Sequence, residues 1–161
     1  MKIEQKIVTS LWFDDNAEEA VAFYTSIFPD SRVLRVQNYT EAGPGTPGTV
    51  LSVAFVLAGQ EFMAINGGPH FTFSEAISLA VKCADQAEID RLWDALLAGG
   101  GREQQCGWLK DRFGLSWQVV PESLDGMLNN ADTARAARVM RAVLSMVKLD
   151  VAAIQRAHDG G

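Results

Sequence analysis

Residues 7–28 read IVTSLWFDDNAEEAVAFYTSIF, and residues 76–97 read AISLAVKCADQAEIDRLWDALL. Each stretch begins with residues typical of a β-strand and continues with apolar residues at the spacing of an amphipathic helix. Asn16 and Asp85, 69 residues apart, hold the same place in the two stretches, and a glutamate follows each of them three residues later. This repeated order indicates an internal duplication that aligns without a gap.

Both predicted helices have recognisable ends. Asn16 followed by Glu19 has the spacing of a capping box, and Pro29 stops the first helix. Asp85 and Glu88 hold the corresponding places at the start of the second helix. Apolar residues on one stripe of the first helix are expected to face the core: Ala17, Ala20, Val21, Tyr24, Ile27 and Phe28.

Strand-like runs separated by Gly- and Pro-rich turns follow each helix. They cover residues 31–39, 50–57 and 60–66 after the first helix, and shorter runs near 102–106, 107–111 and 115–120 after the second. Residues 41–49, EAGPGTPGT, are predicted to form a hairpin or flap. The pattern predicts an α+β fold of two tandem β-α-β-β-β modules, 5–70 and 74–121, within a domain of residues 1–121.

Residues 122–161 are predicted to form a C-terminal helical extension. From Asp132 onward it has five Lys and Arg against three Asp, while the whole chain has a net charge of −6. Its apolar stripe consists of Val139, Met140, Val143, Met146 and Val147. This stripe could pack on the domain's own sheet or on a second subunit, and the sequence leaves both open.

The composition of the chain argues against several classes of partner and location. A net charge of −6 repels phosphate backbones and anionic lipids, so neither nucleic acid nor a membrane is expected as a partner. No apolar run is long enough to span a bilayer, and the N-terminus lacks the apolar centre of a signal peptide. Two cysteines, Cys83 and Cys106, are too few for a disulfide framework. The sequence therefore predicts a cytoplasmic protein.

The duplicated modules resemble the vicinal oxygen chelate superfamily of glyoxalases, bleomycin-resistance proteins and extradiol dioxygenases. The similarity is closest to the PhnB-like branch, often labelled 3-demethylubiquinone-9 3-methyltransferase. Four stretches support it: LWFDDNAEEAVAFYTSIFPDS, EAGPG, NGGPHFTFSEAIS and CGWLKDRFGLSWQVVP. The resemblance implies that each module curls into a half-barrel, that the two half-barrels enclose a small-molecule pocket, and that the protein is a homodimer.

Metal-dependent members of this superfamily hold a divalent ion with His and Glu on the first and last strands of each module. The resemblance places those slots at Thr9 and, by the 69-residue offset, at Ser78 on the first strands. On the last strands it places them at Gln118 in module two and at Met63 or Ile65 in module one. None of these is a His, Cys, Asp or Glu, so we predict no metal and no cofactor.

Three further residues are candidates for contact with a ligand. Asn66 lies at a strand end before Gly67, where it could bind a ligand or only form the turn. His70 could act as a hydrogen-bonding group or general base, or be an exposed loop residue. Trp108 could line an aromatic pocket or belong to the core.

Three functions remain open from the sequence. The first is a metal-independent protein that binds a small organic molecule through Thr9, Met63, Asn66, His70, Ser78, Trp108 and Gln118. The second is an enzyme that acts on a small carbonyl or aromatic substrate by proton transfer. The third is the methyltransferase of the family label, although no β-α-β unit of the dinucleotide-binding type is recognisable. No catalytic residue is assigned.

Overall fold

The computed structural model describes residues 5–161, and the chain divides into two compact units between Thr72 and Phe73. Each unit contains one four-stranded sheet, and five helices lie within the described residues. The predicted α+β class is confirmed. None of the helices in residues 5–161 has the length and apolar character needed to cross a membrane.

The first unit follows the predicted β-α-β-β-β order closely. Its elements are β1 (Thr9–Phe13), α1 (Ala17–Ile27), β2 (Arg32–Asn38), β3 (Val50–Leu57) and β4 (Gln60–Asn66). The strand order is β1-β4-β3-β2, with β1 parallel to β4 and the other pairs antiparallel. Because a parallel pair needs a crossover connection, α1 lies on one face of this sheet and buries its apolar stripe there.

The second unit repeats this topology with shorter strands. Its elements are β5 (Ser78–Cys83), α2 (Gln86–Leu97), β6 (Arg102–Glu103), β7 (Trp108–Lys110) and β8 (Ser116–Pro121). The strand order is β5-β8-β7-β6, again with the first and last strands parallel. The same order and directions in both sheets confirm the internal duplication.

The expectation that the two copies align without a gap is wrong at the first strand. Three residues separate Phe13 at the end of β1 from α1, whereas two separate Cys83 at the end of β5 from α2. The helices therefore keep the 69-residue offset, but the strands are displaced by one residue. Since successive strand residues point to opposite faces, Thr9 and Ser78 are not equivalent positions.

The two helices also begin differently. Asp85 accepts a hydrogen bond from the amide of Glu88, which is the first bond of a capping box, whereas Glu88 accepts one from the amide of Ala84 and not from that of Asp85. Asn16 makes no side-chain capping bond, so the capping box predicted for Asn16 and Glu19 is wrong. The side chain of Asn66 replaces it and accepts a hydrogen bond from the amide of Ala17 at 2.8 Å.

The C-terminal extension forms α3 (Leu124–Leu128), α4 (Thr133–Leu144) and α5 (Val151–Asp159). These helices belong to the second unit and pack there against the chain's own module. Met140 of the predicted stripe is 42% exposed and faces away from this cluster. The cluster centres on Leu124, Val139, Val143, Leu149 and Ile154, with Cys106 and Val120 against it.

Backbone hydrogen bonds anchor the extension to the turn before β7. The amide of Cys106 donates to the carbonyl of Met146 at 2.8 Å, and the amide of Gly107 donates to that of Val147 at 2.7 Å. Gln86 at the start of α2 donates to the carbonyl of Leu149 and accepts from the amide of Val151. The extension is therefore part of the second unit's core.

Gly107→Ala is expected to lower the free energy of unfolding by about 2 kcal/mol or more, since a side chain at positive φ is strained. Gly107 has φ of +81°, and an added Cβ would lie 2.9 Å from Leu149 Cγ and 3.0 Å from the carbonyl oxygen of Val119. Gly126→Ala in α3 is the matched control, because no neighbouring atom lies within 4 Å of its added Cβ. Urea unfolding of both variants measures the difference; equal stabilities would contradict this account of the turn.

Candidate functional site

Each sheet has one face that packs on its helix and an opposite face, which we call the far face. In the first unit Leu11, Phe13, Phe62 and Ala64 are buried and mark the helix-facing side. In the second unit Leu109, Trp117 and Val119 mark that side. Because strand residues alternate, the residues between them lie on the far faces.

Three of the predicted site residues meet on the far face of the second sheet. Trp108 is paired directly with Gln118, and Ser78 is paired with Ser116, two residues before Gln118. The amide nitrogen of Gln118 donates a hydrogen bond to the hydroxyl oxygen of Ser78 at 2.9 Å. Ser78 and Gln118, predicted from separate parts of the sequence, are therefore in direct contact.

Ser116 lies in the same group and was missed in the sequence analysis. It is 0% exposed, and among residues 5–161 its hydroxyl oxygen has no hydrogen-bond partner. A buried hydroxyl left without a partner costs about 1–3 kcal/mol. Its position two residues before Gln118 on one strand was the available signal, because such residues share a face.

One ion pair stands beside this polar group. Lys110, which is paired with Ser116, lies 2.8 Å from the carboxylate of Glu75. A hydrogen bond from Lys110 and a weaker contribution from Gln104 lower the pKa of Glu75 to about 2. The pair therefore stays ionised and mutually neutralised near neutral pH, and the neighbouring serines and glutamine face no uncompensated charge from it.

The first unit contains a cavity of about 530 Å³ between the start of α1, the end of β4 and the β2–β3 loop. Two predicted site residues, Asn66 and His70, line it together with the carboxylates of Asp14, Asp15 and Glu18. The residue His70 is exposed. The cavity of the first unit is therefore lined by several carboxylates and by the imidazole of His70 at its edge.

Asn66 is occupied structurally within this cavity wall. It is 8% exposed, accepts from the amide of Ala17, and donates to Glu18 at 2.9 Å and to the carbonyl of Val50 at 3.0 Å. These bonds join β4, α1 and β3 at one point. Ligand binding and turn formation were the two roles considered for Asn66 from the sequence, and the structure shows a third role, an internal cross-link that leaves no surplus amide hydrogen for a ligand.

A smaller cavity of about 320 Å³ adjoins the first and shares Tyr39, Pro44 and Gly67 with it. The hydroxyl of Tyr39 donates to the carbonyl of Asn66, and the indole of Trp12 donates to that of Gly68 at 2.9 Å. Tyr39 and the loop that follows it therefore separate the two cavities. Residues 41–49, predicted to form a hairpin or flap, connect the antiparallel strands β2 and β3.

The two remaining predicted residues of this unit do not meet. Thr9 is paired with Phe62 on the helix-facing side of the first sheet. Met63, one residue later in β4, is paired with Ser10 on the far face. Thr9 and Met63 therefore point to opposite sides, as the one-residue strand displacement requires.

The residues present do not fit a divalent metal ion. Within residues 5–161, no three His, Cys, Asp or Glu side chains converge closely enough to hold one. The far-face slots of the second unit hold Ser78 and Gln118, which are neutral. Burial raises the pKa of the Cys83 thiol to about 11, so this cysteine is protonated at neutral pH and is a poor ligand.

A family model described as 3-demethylubiquinone-9 3-methyltransferase matches residues 5–120. The chain therefore belongs to this family, the PhnB-like branch of the vicinal oxygen chelate superfamily. Residues 121–161, which contain the three C-terminal helices, lie outside the match. No protein with a curated description matches the chain.

Solved structures agree with this assignment. The PhnB protein from Bacillus cereus is 41% identical, with a TM-score of 0.65 over 72% of this chain and 99% of its own. Protein PA1353 from Pseudomonas aeruginosa is 22% identical, with a TM-score of 0.61 over 73% and 98%. The fosfomycin resistance protein FosX from Listeria monocytogenes is 14% identical, with a TM-score of 0.56 over 80% and 99%. The last two show the fold alone.

Asn66→Ala is expected to lower the free energy of unfolding by about 2–4 kcal/mol, because it leaves the buried amide of Ala17 without its acceptor. Asn38→Ala on the exposed strand β2 is the matched control and should change it by about 0.5 kcal/mol or less. Chemical denaturation followed by circular dichroism measures both. A neutral Asn66→Ala would show that the cross-link does not hold β4, α1 and β3 together.

Proposed function

We propose that this protein binds a small organic molecule without a metal ion. The observation that supports the proposal is the hydrogen bond between Gln118 and Ser78, two neutral side chains in the slots where metal-dependent relatives need charged or imidazole ligands. Such a pair can orient a ligand by hydrogen bonds, yet it supplies no negative charge to hold a cation.

The purified protein is expected to contain less than about a tenth of an equivalent of transition metal, because Ser78 and Gln118 supply no charged or imidazole ligand. Elemental analysis after growth in metal-supplemented medium measures this. Gln118→Glu is the control variant: one carboxylate without histidine partners should leave the metal content equally low. Stoichiometric metal in the unaltered protein would overturn the proposal.

An enzymatic function is the second candidate, and the position of His70 favours it. The residue is exposed at the rim of the 530 Å³ cavity, where its imidazole could reach a bound substrate as a general base. Asp14 and Glu18 line the same cavity. The reaction would be a proton transfer on a small carbonyl or aromatic substrate.

The family's name suggests a third candidate, a methyltransferase that uses S-adenosylmethionine. The chain's residues do not fit the nucleotide-binding fingerprint: the glycine-rich loop 43–48 is followed by strand β3, so the loop does not lead into the helix N-terminus that this fingerprint requires. No step of this reaction is assigned to the chain.

Binding and turnover measurements separate these candidates. A thermal-shift screen of metabolites identifies a ligand, because a molecule that binds only the folded state raises the melting temperature. His70→Ala is then expected to leave binding of that ligand unchanged. Loss of turnover without loss of binding in this variant would establish the enzyme instead. Calorimetry with S-adenosylmethionine should show no heat of binding, and a saturable titration would favour the methyltransferase.

A homodimer and a cytoplasmic location are parts of the same proposal. Strand β2 is a sheet edge whose apolar residues Val33, Leu34 and Val36 are 50%, 43% and 52% exposed, which favours contact with a second copy. Cys83 and Cys106 are free thiols, as is usual in a reducing compartment. A monomeric mass in sedimentation at micromolar concentration would contradict the dimer.

A further inference from the structure

The hydroxyl of Ser116 is the one buried serine oxygen in residues 5–161 that lacks a hydrogen-bond partner. The residue is 0% exposed and is the first residue of β8. Buried hydroxyls in folded proteins almost always have a partner, which is a protein group, an ordered water or a ligand. Since no protein group serves Ser116, its neighbours indicate what the partner must supply.

Ser116 stands in a compact neutral group on the far face of the second sheet. Ser78 is its direct partner across the parallel ladder, and Gln118 follows it by two residues on the same face. The Gln118 amide nitrogen donates to the Ser78 oxygen. Within the described residues this leaves the hydrogens of both hydroxyls free to donate and the Gln118 carbonyl oxygen free to accept.

The hydrogen-bond donors and acceptors that this group leaves unused indicate which chemical groups of a ligand it can bind. Two hydroxyl donors suit one carbonyl oxygen, and an adjacent acceptor suits an N–H next to that carbonyl. A charged ligand group would find no opposite charge, because the nearby Lys110 and Glu75 already pair at 2.8 Å. Trp108, directly opposite Gln118, offers an aromatic wall to a flat ring.

We propose that Ser78, Ser116 and Gln118 form a subsite for a neutral amide or lactam group, with Ser116 as a ligand-binding residue. The carbonyl oxygen of the ligand accepts hydrogen bonds from the two serine hydroxyls, and its N–H donates to the Gln118 carbonyl oxygen. The amide of Gln118 must turn away from Ser78 to admit the ligand. This inference rests on the proposed metal-independent binding function and names the class of ligand.

The test uses 2-quinolone, a flat neutral lactam, titrated into the full-length protein and followed by NMR and calorimetry. Ser116→Ala should weaken its binding by about three- to tenfold, the range for one neutral hydrogen bond. The ligand-free variant should melt at the same temperature as the unaltered protein or higher, because alanine removes an unpartnered buried hydroxyl. A purely structural role for Ser116 predicts the opposite change in melting temperature.

Two controls separate recognition from general effects. Ser10→Ala, an exposed serine on the far face of the first sheet, should leave the affinity for 2-quinolone unchanged. N-methyl-2-quinolone, which lacks the N–H, should bind the unaltered protein more weakly than 2-quinolone. In Gln118→Leu the two probes should bind equally, because the acceptor that distinguishes them is gone.

Three results would overturn the inference. They are no binding of 2-quinolone up to about 10 mM, the weak limit for a fragment of this size, unchanged affinity in Ser116→Ala, or a lower melting temperature of that ligand-free variant. None of them bears on the metal content or on a hit in the metabolite screen. Failure of this subsite is therefore distinguishable from failure of the proposed function.

Discussion

The parallel pairing of the first and last strands in each module is the constraint on which the rest of the structure depends. A parallel pair cannot be closed by a tight turn, so α1 and α2 must cross over and cover one face of each sheet. The same pairing brings Ser78 into the same ladder as Ser116, although 38 positions separate them in the chain. Both the helix-facing cores and the polar group of the second unit follow from this one connection.

The two copies have diverged around this shared plan by a single residue. The link from strand to helix is three residues long in the first unit and two in the second, and this reverses the facing of β1 relative to β5. The two helices are also capped differently. Asp85 at the start of α2 caps its own helix, whereas Asn66 at the end of β4 accepts a hydrogen bond from the start of α1. The cap of α1 therefore comes from a residue distant in the chain, whereas the cap of α2 comes from a residue adjacent to the helix in the sequence.

The chemistry of the second unit's far face is neutral throughout its central group. Ser78, Ser116 and Gln118 offer donors and acceptors without charge, and the adjoining Lys110–Glu75 pair is internally balanced. Such a surface discriminates by hydrogen-bond pattern and shape, because it has no charge with which to attract ions. Metal chemistry depends on the opposite arrangement, with several anionic or imidazole side chains aimed at one point.

The sequence by itself determined the duplication, the two helices, the strand runs and the family, because periodicity and local end signals are written in neighbouring residues. It also predicted one site from seven residues, of which Ser78, Trp108 and Gln118 lie together on the second sheet and the other four belong to the first unit. Only the tertiary structure decided the facing of Thr9, the role of Asn66 as a cross-link and the packing of the C-terminal helices. The tertiary structure also singled out Ser116, since only the folded structure shows that its hydroxyl is buried without a hydrogen-bond partner. Each depends on a strand register or a contact between residues distant in the chain, and local spacing does not specify either.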